Sequence, residues 1–156
     1  MLIRLLAAGT RLPGWVGAGY EEYARRLGPE LRLELREIPL ARRRRDADVS
    51  RARAEEGRRM LAATDPRTYV TALDVRGRSM STAQLARWLA GRMNDGRDLA
   101  LLVGGPDGLD PACLERADSN WSLSPLTFPH GLVRVLVAEQ LYRAQSLLKG
   151  HPYHRA

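Results

Sequence analysis

Apolar residues along this chain switch repeatedly between a short, strand-like pattern and a helical one. Leu2 to Ala8 is a nearly continuous apolar run, interrupted by Arg4 and stopped by Gly9, and it predicts a first strand. From Pro13 to Leu27 the period changes. Trp15, Val16, Tyr20, Tyr23, Ala24 and Leu27 recur at helical spacing, and Gly28-Pro29 ends the helix. Leu31, Leu33 and Leu35 then alternate with Arg32, Glu34 and Arg36 up to Ile38, which predicts a half-exposed strand near a sheet edge. A polar helix is expected from Ala47 to Ala63, and a further strand from Thr68 to Val75, followed by Arg76-Gly77-Arg78. Ser81-Thr82-Ala83-Gln84 has capping-box spacing and opens a helix with Leu85, Trp88, Leu89 and Met93 on one side, closed by Asn94-Asp95-Gly96.

Leu99 to Val103 is apolar at every position and is cut off at once by Gly104-Gly105-Pro106. It is too short for a helix, and it suits a strand buried on both faces of a parallel sheet. Asp110 can cap a short helix to Ala117, and Trp121 to Leu123 reads as a brief strand broken by Ser124-Pro125. From His130 to Lys149 the chain predicts its longest helix. The apolar residues there, among them Leu132, Val133, Leu136, Val137 and Leu141, cover more than one stripe. An ordinary surface helix shows one apolar face. A wider one implies burial on two sides, with a dimer partner as the simplest second cover. Alternating strands and helices without a repeat or linker predict an α/β fold: one domain over residues 1–156, with a largely parallel sheet flanked by helices.

Composition adds a partner. The chain has 156 residues, 44% of them hydrophobic, which is enough for a core, and a formal net charge of +7. That excess favours an anionic partner, nucleic acid first. Arg42 to Arg45 is a run of arginine in an expected loop, where a flexible basic segment can grip phosphate. The single cysteine, Cys113, allows no internal disulfide and suits a packed helix position. No Cys/His cluster has zinc spacing, so no metal is expected. No stretch approaches the ~20 apolar residues of a membrane span. The short N-terminal run fits a strand better than a signal peptide, and a cytoplasmic protein is expected.

Ligands of open α/β sheets sit beyond the carboxyl ends of the strands. The glycine turn after Val103 is therefore the first candidate site, with a plain strand-to-helix turn as the alternative. It is neither a P-loop, since no Gly-Lys-Ser/Thr follows, nor a dinucleotide fingerprint, since its glycines (Gly104, Gly105, Gly108) have the wrong spacing. No G-x-S-x-G marks a serine nucleophile. The tail His151-Pro152-Tyr153-His154-Arg155 is aromatic and cationic, a composition suited to stacking on a base and holding a phosphate, although a frayed terminus is the ordinary expectation. Glu139 and Arg143 stand one helical turn apart and can pair.

LLVGGPDGL, WSLSPLTFPHGLVRVLVAEQLYRA and the terminal HPYHR, in that order and with LAAGTRLPGW at the start, resemble one family over the whole length. It is the bacterial large-subunit (23S) rRNA pseudouridine N3-methyltransferases of the SPOUT superfamily. The resemblance implies a C-terminal trefoil knot, which periodicity would never suggest. It implies a homodimer with the active site across the interface, acting on ribosomal RNA or the assembled ribosome. It also implies S-adenosylmethionine bound by Leu73, by Gly104, and by Leu123, Ser124, Pro125, Leu126, Thr127 and Phe128. Pro125 departs from the pattern in that it offers no N–H to a ligand.

The acceptor N3 of a pseudouridine is an imide nitrogen that titrates roughly two units above neutrality. Removing its proton at pH 7 then costs about 3 kcal/mol, at about 1.4 kcal/mol per unit. A positioned base supplies help of that order, and a nearby cation stabilises the anion. His130, Glu139 and His154 are the candidate bases, and Arg155 is a further candidate catalytic group. Arg134, Arg143, Tyr153, His154 and Arg155 are candidate contacts to the RNA. A non-catalytic basic RNA-binding protein and a SPOUT methyltransferase acting on tRNA are the competing expectations.

Overall fold

The computed structural model describes residues 1–45 and 48–155. Its strands are β1 (Leu2–Ala8), β2 (Arg32–Ile38), β3 (Tyr69–Ser79), β4 (Leu99–Val103) and β5 (Ser119–Ser122). They form one sheet in the order β2-β1-β4-β3-β5, and every pairing is parallel. The helices are α1 (Gly14–Ala24), α2 (Val49–Ala62), α3 (Thr82–Asp95), α4 (Pro111–Arg116) and α5 (His130–Leu148). Ala47, expected at the start of the polar helix, lies outside the described residues.

The pleat of β4 explains why Leu99–Val103 is apolar throughout. Successive side chains of a strand point to opposite faces. Leu99, Leu101 and Val103 join a core with α1, α3 and α5, built from Tyr20, Leu85, Leu89, Val137, Ala138 and Leu141. Ala100 and Leu102 face the other way, toward Met60 of α2 and Cys113 of α4. Burial pushes the Cys113 thiol up to about 11 and removes it from nucleophilic chemistry. The charged alternation of β2 places that strand at one edge of the sheet, as its pattern implies.

Local signals in the sequence act as expected at α3. Gln84 N–H donates to the Ser81 hydroxyl at 3.2 Å, and the Gln84 side chain accepts from Ser81 N–H at 2.8 Å. Gly96 ends the helix with φ of 82°. Two elements differ from the pattern. β3 runs on through the polar Arg76-Gly77-Arg78 to Ser79, with a shift of register against β5 between Leu73 and Arg78. Gly77 permits this, because a Cβ there would lie 2.8 Å from the backbone carbonyl carbon of Trp121. β5 is set slightly earlier than expected, at Ser119–Ser122, because Asp118 N–H donates to Val70 O at 2.7 Å and starts the ladder there.

The wide apolar surface of α5 is covered largely within the chain. Val137, Ala138, Leu141 and Ala144 are fully buried in the core shared with α1 and α3, and Val135 meets Gly19 of α1. To reach that place from the β5 edge, residues 123–129 cross the ends of β3 and β4 and deliver His130 to Gly9, at the end of β1. Three strand spacings of about 4.8 Å are well within the reach of seven residues. Helices after β3 and β5 share a core on one face, while α4 after β4 belongs to the other. Connections that leave neighbouring strands toward opposite faces open a crevice at the strand ends.

Candidate functional site

A cavity of about 420 Å³ occupies that crevice. Ligand sites typically hold about 300–1,000 Å³. The glycine turn makes one wall. Gly108 N–H donates to Gly105 O at 3.0 Å, and Gly108 takes a φ of 79°. Gly104 is dictated by the turn itself: a Cβ there would stand 2.4 Å from the carbonyl carbon of Gly108 and 2.6 Å from Leu109 N. That is a stronger constraint than close approach of a ligand.

Leu73 and the residues after it make the second wall. Where the register slips, Asp74, Val75 and Arg76 turn into the rim. The Asp74 carboxylate accepts from the Arg76 backbone at 2.8 Å and from its guanidinium at 3.1 Å, and that side chain holds its pKa below the usual carboxylate range. Sequence reasoning stopped the strand at Val75 and missed these three. A glycine inside a polar continuation of a strand was the available signal.

The third wall is the crossing segment. Ser122 Oγ donates to Ser124 O at 3.1 Å, and Leu126 N–H donates to Ser124 Oγ at 3.0 Å, which folds residues 122–126 into a turn held by its own side chains. Leu123, Ser124, Leu126, Thr127 and Phe128 line the cavity. Leu126 is 69% exposed, a large apolar side chain without apolar cover at the mouth. Pro125 departs from the expectation: it is exposed and does not line the cavity, because the Ser124 turn faces it outward.

The structure thus brings Leu73, Gly104 and most of the 123–128 segment around one space, with Trp121 and Val103 beneath. His130 also lines it. Its ring faces Gly9, where an added Cβ would meet Nε2 at 3.4 Å. Burial first, and the Arg134 guanidinium second, lower its pKa, so the imidazole is neutral at pH 7 and able to accept a proton.

Arg134 corrects an expectation. It is 2% exposed and unavailable to RNA. Its guanidinium donates to Gly9 O at 2.7 Å and to Glu37 at 2.7 Å, tying α5 to the ends of β1 and β2. Arg134→Met should therefore lower stability by about 1–3 kcal/mol, because the buried Gly9 carbonyl loses its donor while the exposed Glu37 carboxylate returns to water. The urea midpoint measures it, and a change below about 0.5 kcal/mol would show the pair to be idle.

The remaining candidates gather elsewhere. Glu139 accepts from Arg143 Nε at 2.9 Å and from the Tyr153 hydroxyl at 3.0 Å. Tyr153 leans on Tyr142 with ring centroids 4.5 Å apart, under the Arg143 guanidinium. Burial and the bond to Glu139 push the Tyr153 phenol up to about 12, so it remains a donor. The tail is a 3-10 turn, Pro152–His154, rather than a frayed end. His154 Nδ1 contacts His151 O, and Arg155 is exposed. Glu139 stands nine residues beyond His130 on α5, about 13 Å along the helix at about 1.5 Å per residue. Within one chain, the cationic tail and the cavity are apart.

Known proteins agree with this architecture. Residues 1–154 match the family described as "Predicted SPOUT methyltransferase". A protein of Alkalilimnicola ehrlichii named "Ribosomal RNA large subunit methyltransferase H" is 66% identical over 156 residues, covering 100% of both chains. A protein of Methylococcus capsulatus with the same name is 57% identical over 155 residues, covering 99% of this chain and 100% of its own. Among solved structures, a probable methyltransferase from Bordetella pertussis superposes with a TM-score of 0.56 at 19% identity, covering 91% of this chain and 95% of its own. A probable methylase family protein from Haemophilus influenzae gives 0.57 at 13% identity, covering 99% of this chain and 70% of its own. The structural likeness speaks for the fold alone, whereas the match along nearly the whole sequence and relatives identical at more than half their positions establish that the chain belongs to the SPOUT methyltransferase family.

Proposed function

We propose that residues 1–156 act as one domain that methylates N3 of a pseudouridine in large-subunit ribosomal RNA, with S-adenosylmethionine as methyl donor. The observation that carries this reading is the cavity, which collects most of the segments that the family resemblance assigns to the donor. The relatives' names support the RNA substrate, and the net charge of +7 suits it. Among the described residues no helix is long and apolar enough to cross a membrane.

The lining fits the donor. Leu73, Leu123, Leu126 and Phe128 provide apolar surface for an adenine ring, and the turns around Gly104 and Ser124 present backbone groups to its edges. At the rim the Asp74 carboxylate is already paired with the Arg76 guanidinium, so that edge presents both charges side by side. When bound, S-adenosylmethionine supplies a methyl group on a positively charged sulfur. His130, neutral and facing the same space, takes the N3 proton. Tyr153, His154 and Arg155 meet the RNA, with Arg143 holding the tail in place. Because tail and cavity are apart in one chain, the working unit is a homodimer in which one protomer's tail completes its partner's cavity. The trefoil knot belongs to the same reading, and the path of residues 123–129 across two strand ends is the segment it would thread.

Calorimetry should detect S-adenosylhomocysteine binding, and labelled methyl should appear in ribosomes or large subunits. Label confined to tRNA would favour the tRNA methyltransferase, and no ligand binding would favour a non-catalytic RNA-binding protein. The pH profile tests His130. Its neutral form is the active one, so turnover should rise with pH through an inflection below the ordinary imidazole value of 6.5. His130→Gln should remove that inflection and cost about 10²-fold in rate. An unchanged profile would assign the proton to another group.

A further inference from the structure

The arginine run after β2 has no part in the cavity just described, yet the structure sorts its members sharply. Arg43 turns inward. Its guanidinium donates to both carboxylate oxygens of Glu56, at 2.6 and 2.9 Å, and to Ala41 O at 3.0 Å, and it pairs with Asp107. Glu56 is 3% exposed and also accepts from Ala41 N–H at 2.9 Å. Arg42, Arg44 and Arg45 face outward, and among the described residues none of them makes an ion pair.

This arrangement fastens the loop to the cavity wall. Asp107 lies within the glycine turn, between Pro106 and Gly108, which both line the cavity. Leu40 sits on the same turn, 2.9 Å from where a Cβ on Gly105 would be. All strands are parallel, so the loop after β2 opens on the same edge of the sheet as the cavity. The exposed guanidiniums stand on a backbone anchored by a buried carboxylate. Such an anchor lowers the entropy lost when they grip a partner. A guanidinium presents a planar fork that matches a phosphate.

We propose that Arg42, Arg44 and Arg45 form a rim that holds the sugar-phosphate backbone of RNA beside the cavity, and that Arg43 is the positioning residue that docks this rim on the glycine turn. The proposal rests on the reading of the chain as an RNA methyltransferase. It adds a second RNA contact, on the opposite flank of the glycine turn from the crossing segment and separate from the tail.

The full-length triple variant Arg42→Gln/Arg44→Gln/Arg45→Gln tests it, with anisotropy of a labelled large-subunit rRNA fragment over a range of KCl. Each lost phosphate contact reduces the slope of log K against log salt by about 0.7–0.9. The slope should therefore fall by about two to three and affinity by about 10–100-fold at low salt, through KM rather than kcat in methyl transfer. Affinity for S-adenosylhomocysteine should stay within about two-fold. A control with equal charge loss, Arg25→Gln/Arg67→Gln/Arg87→Gln, should change the slope by less than half as much. Arg43→Lys keeps the charge and loses the fork, so it should raise KM several-fold with the salt slope unchanged.

Equal slopes for the wild-type chain and the first triple variant, or equal losses in both triples, would overturn the rim. So would competition by polyglutamate as strong as that by RNA, which would point to an acidic protein. If the unaltered chain transfers no methyl group at all, the enzymatic reading fails, and the salt slopes still decide the rim by themselves.

Discussion

A chain ending at Gly150 is expected to bind S-adenosylhomocysteine within about two-fold of the full chain while transferring methyl groups at least about 100-fold more slowly. The tail touches α5, through Glu139, Tyr142 and Arg143, and lines no part of the cavity. Deleting it removes the Tyr153 bond to the Glu139 carboxylate, the His151 N–H bond to Ser146 O and the contacts of the Tyr153 ring with Tyr142 and Arg143, together about 3–5 kcal/mol. A domain stable by about 5–15 kcal/mol survives that loss. Calorimetry and single-turnover transfer on ribosomes give the two readouts. Undiminished turnover would mean that the RNA is met without the tail.

Gly104→Ala should do the reverse and weaken donor binding while leaving the tail in place. The added methyl would stand 2.4 Å from a backbone carbon and 2.6 Å from a backbone nitrogen, neither of which can rotate away as a side chain would. The turn has to open. Overpacking of this kind costs about 1–3 kcal/mol, and here the displaced atoms form the cavity wall. We expect at least about a ten-fold loss of S-adenosylhomocysteine affinity, equal to about 1.4 kcal/mol of wall distortion. Gly96→Ala is the comparison. Its φ of 82° makes the change strained, but nothing lies near the added methyl and the cavity is distant in the fold, so stability should fall with affinity unchanged. If Gly104→Ala binds normally, the turn is not the wall we describe.

The two lesions together examine the shared site. At limiting S-adenosylmethionine, subunits without a tail and subunits carrying Gly104→Ala are each expected to show little turnover alone. After random exchange, half of the dimers are mixed and each has one intact site, so about a quarter of wild-type turnover should return. No recovery would place tail and cavity in the same subunit, against the composite site.

Most of the framework was legible locally. The unbroken apolar run at Leu99–Val103 and the alternation through Leu31–Leu35 each report how many faces of a strand are covered, which is a property of neighbours the pattern encodes directly. The Ser81 capping box is settled by four consecutive residues. What escaped depends on distant partners. β3 continues through Arg76-Gly77-Arg78 because β5 lies alongside, not because those residues favour a strand. By its charge alone, Arg134 reads as a cation for RNA. Its place in the stripe with Val137, Ala138, Leu141 and Ala144 pointed inward, and the carbonyls and carboxylate that accept it come from the far end of the chain. The family resemblance supplied the cavity residues, since three walls drawn from positions 73, 104 and 123–128 share no local pattern.

The bound posture of the tail has a thermodynamic consequence. Gly150 turns the chain with a φ of 69°, His151 accepts from Tyr153 N–H at 3.2 Å, and Glu139 receives the phenol. Rotamer freedom of these groups is therefore spent during folding, not at the encounter with RNA. Segments that order only on binding leave a large negative heat-capacity change as their signature. A tail already seated should leave almost none, so the enthalpy of RNA association should vary little with temperature.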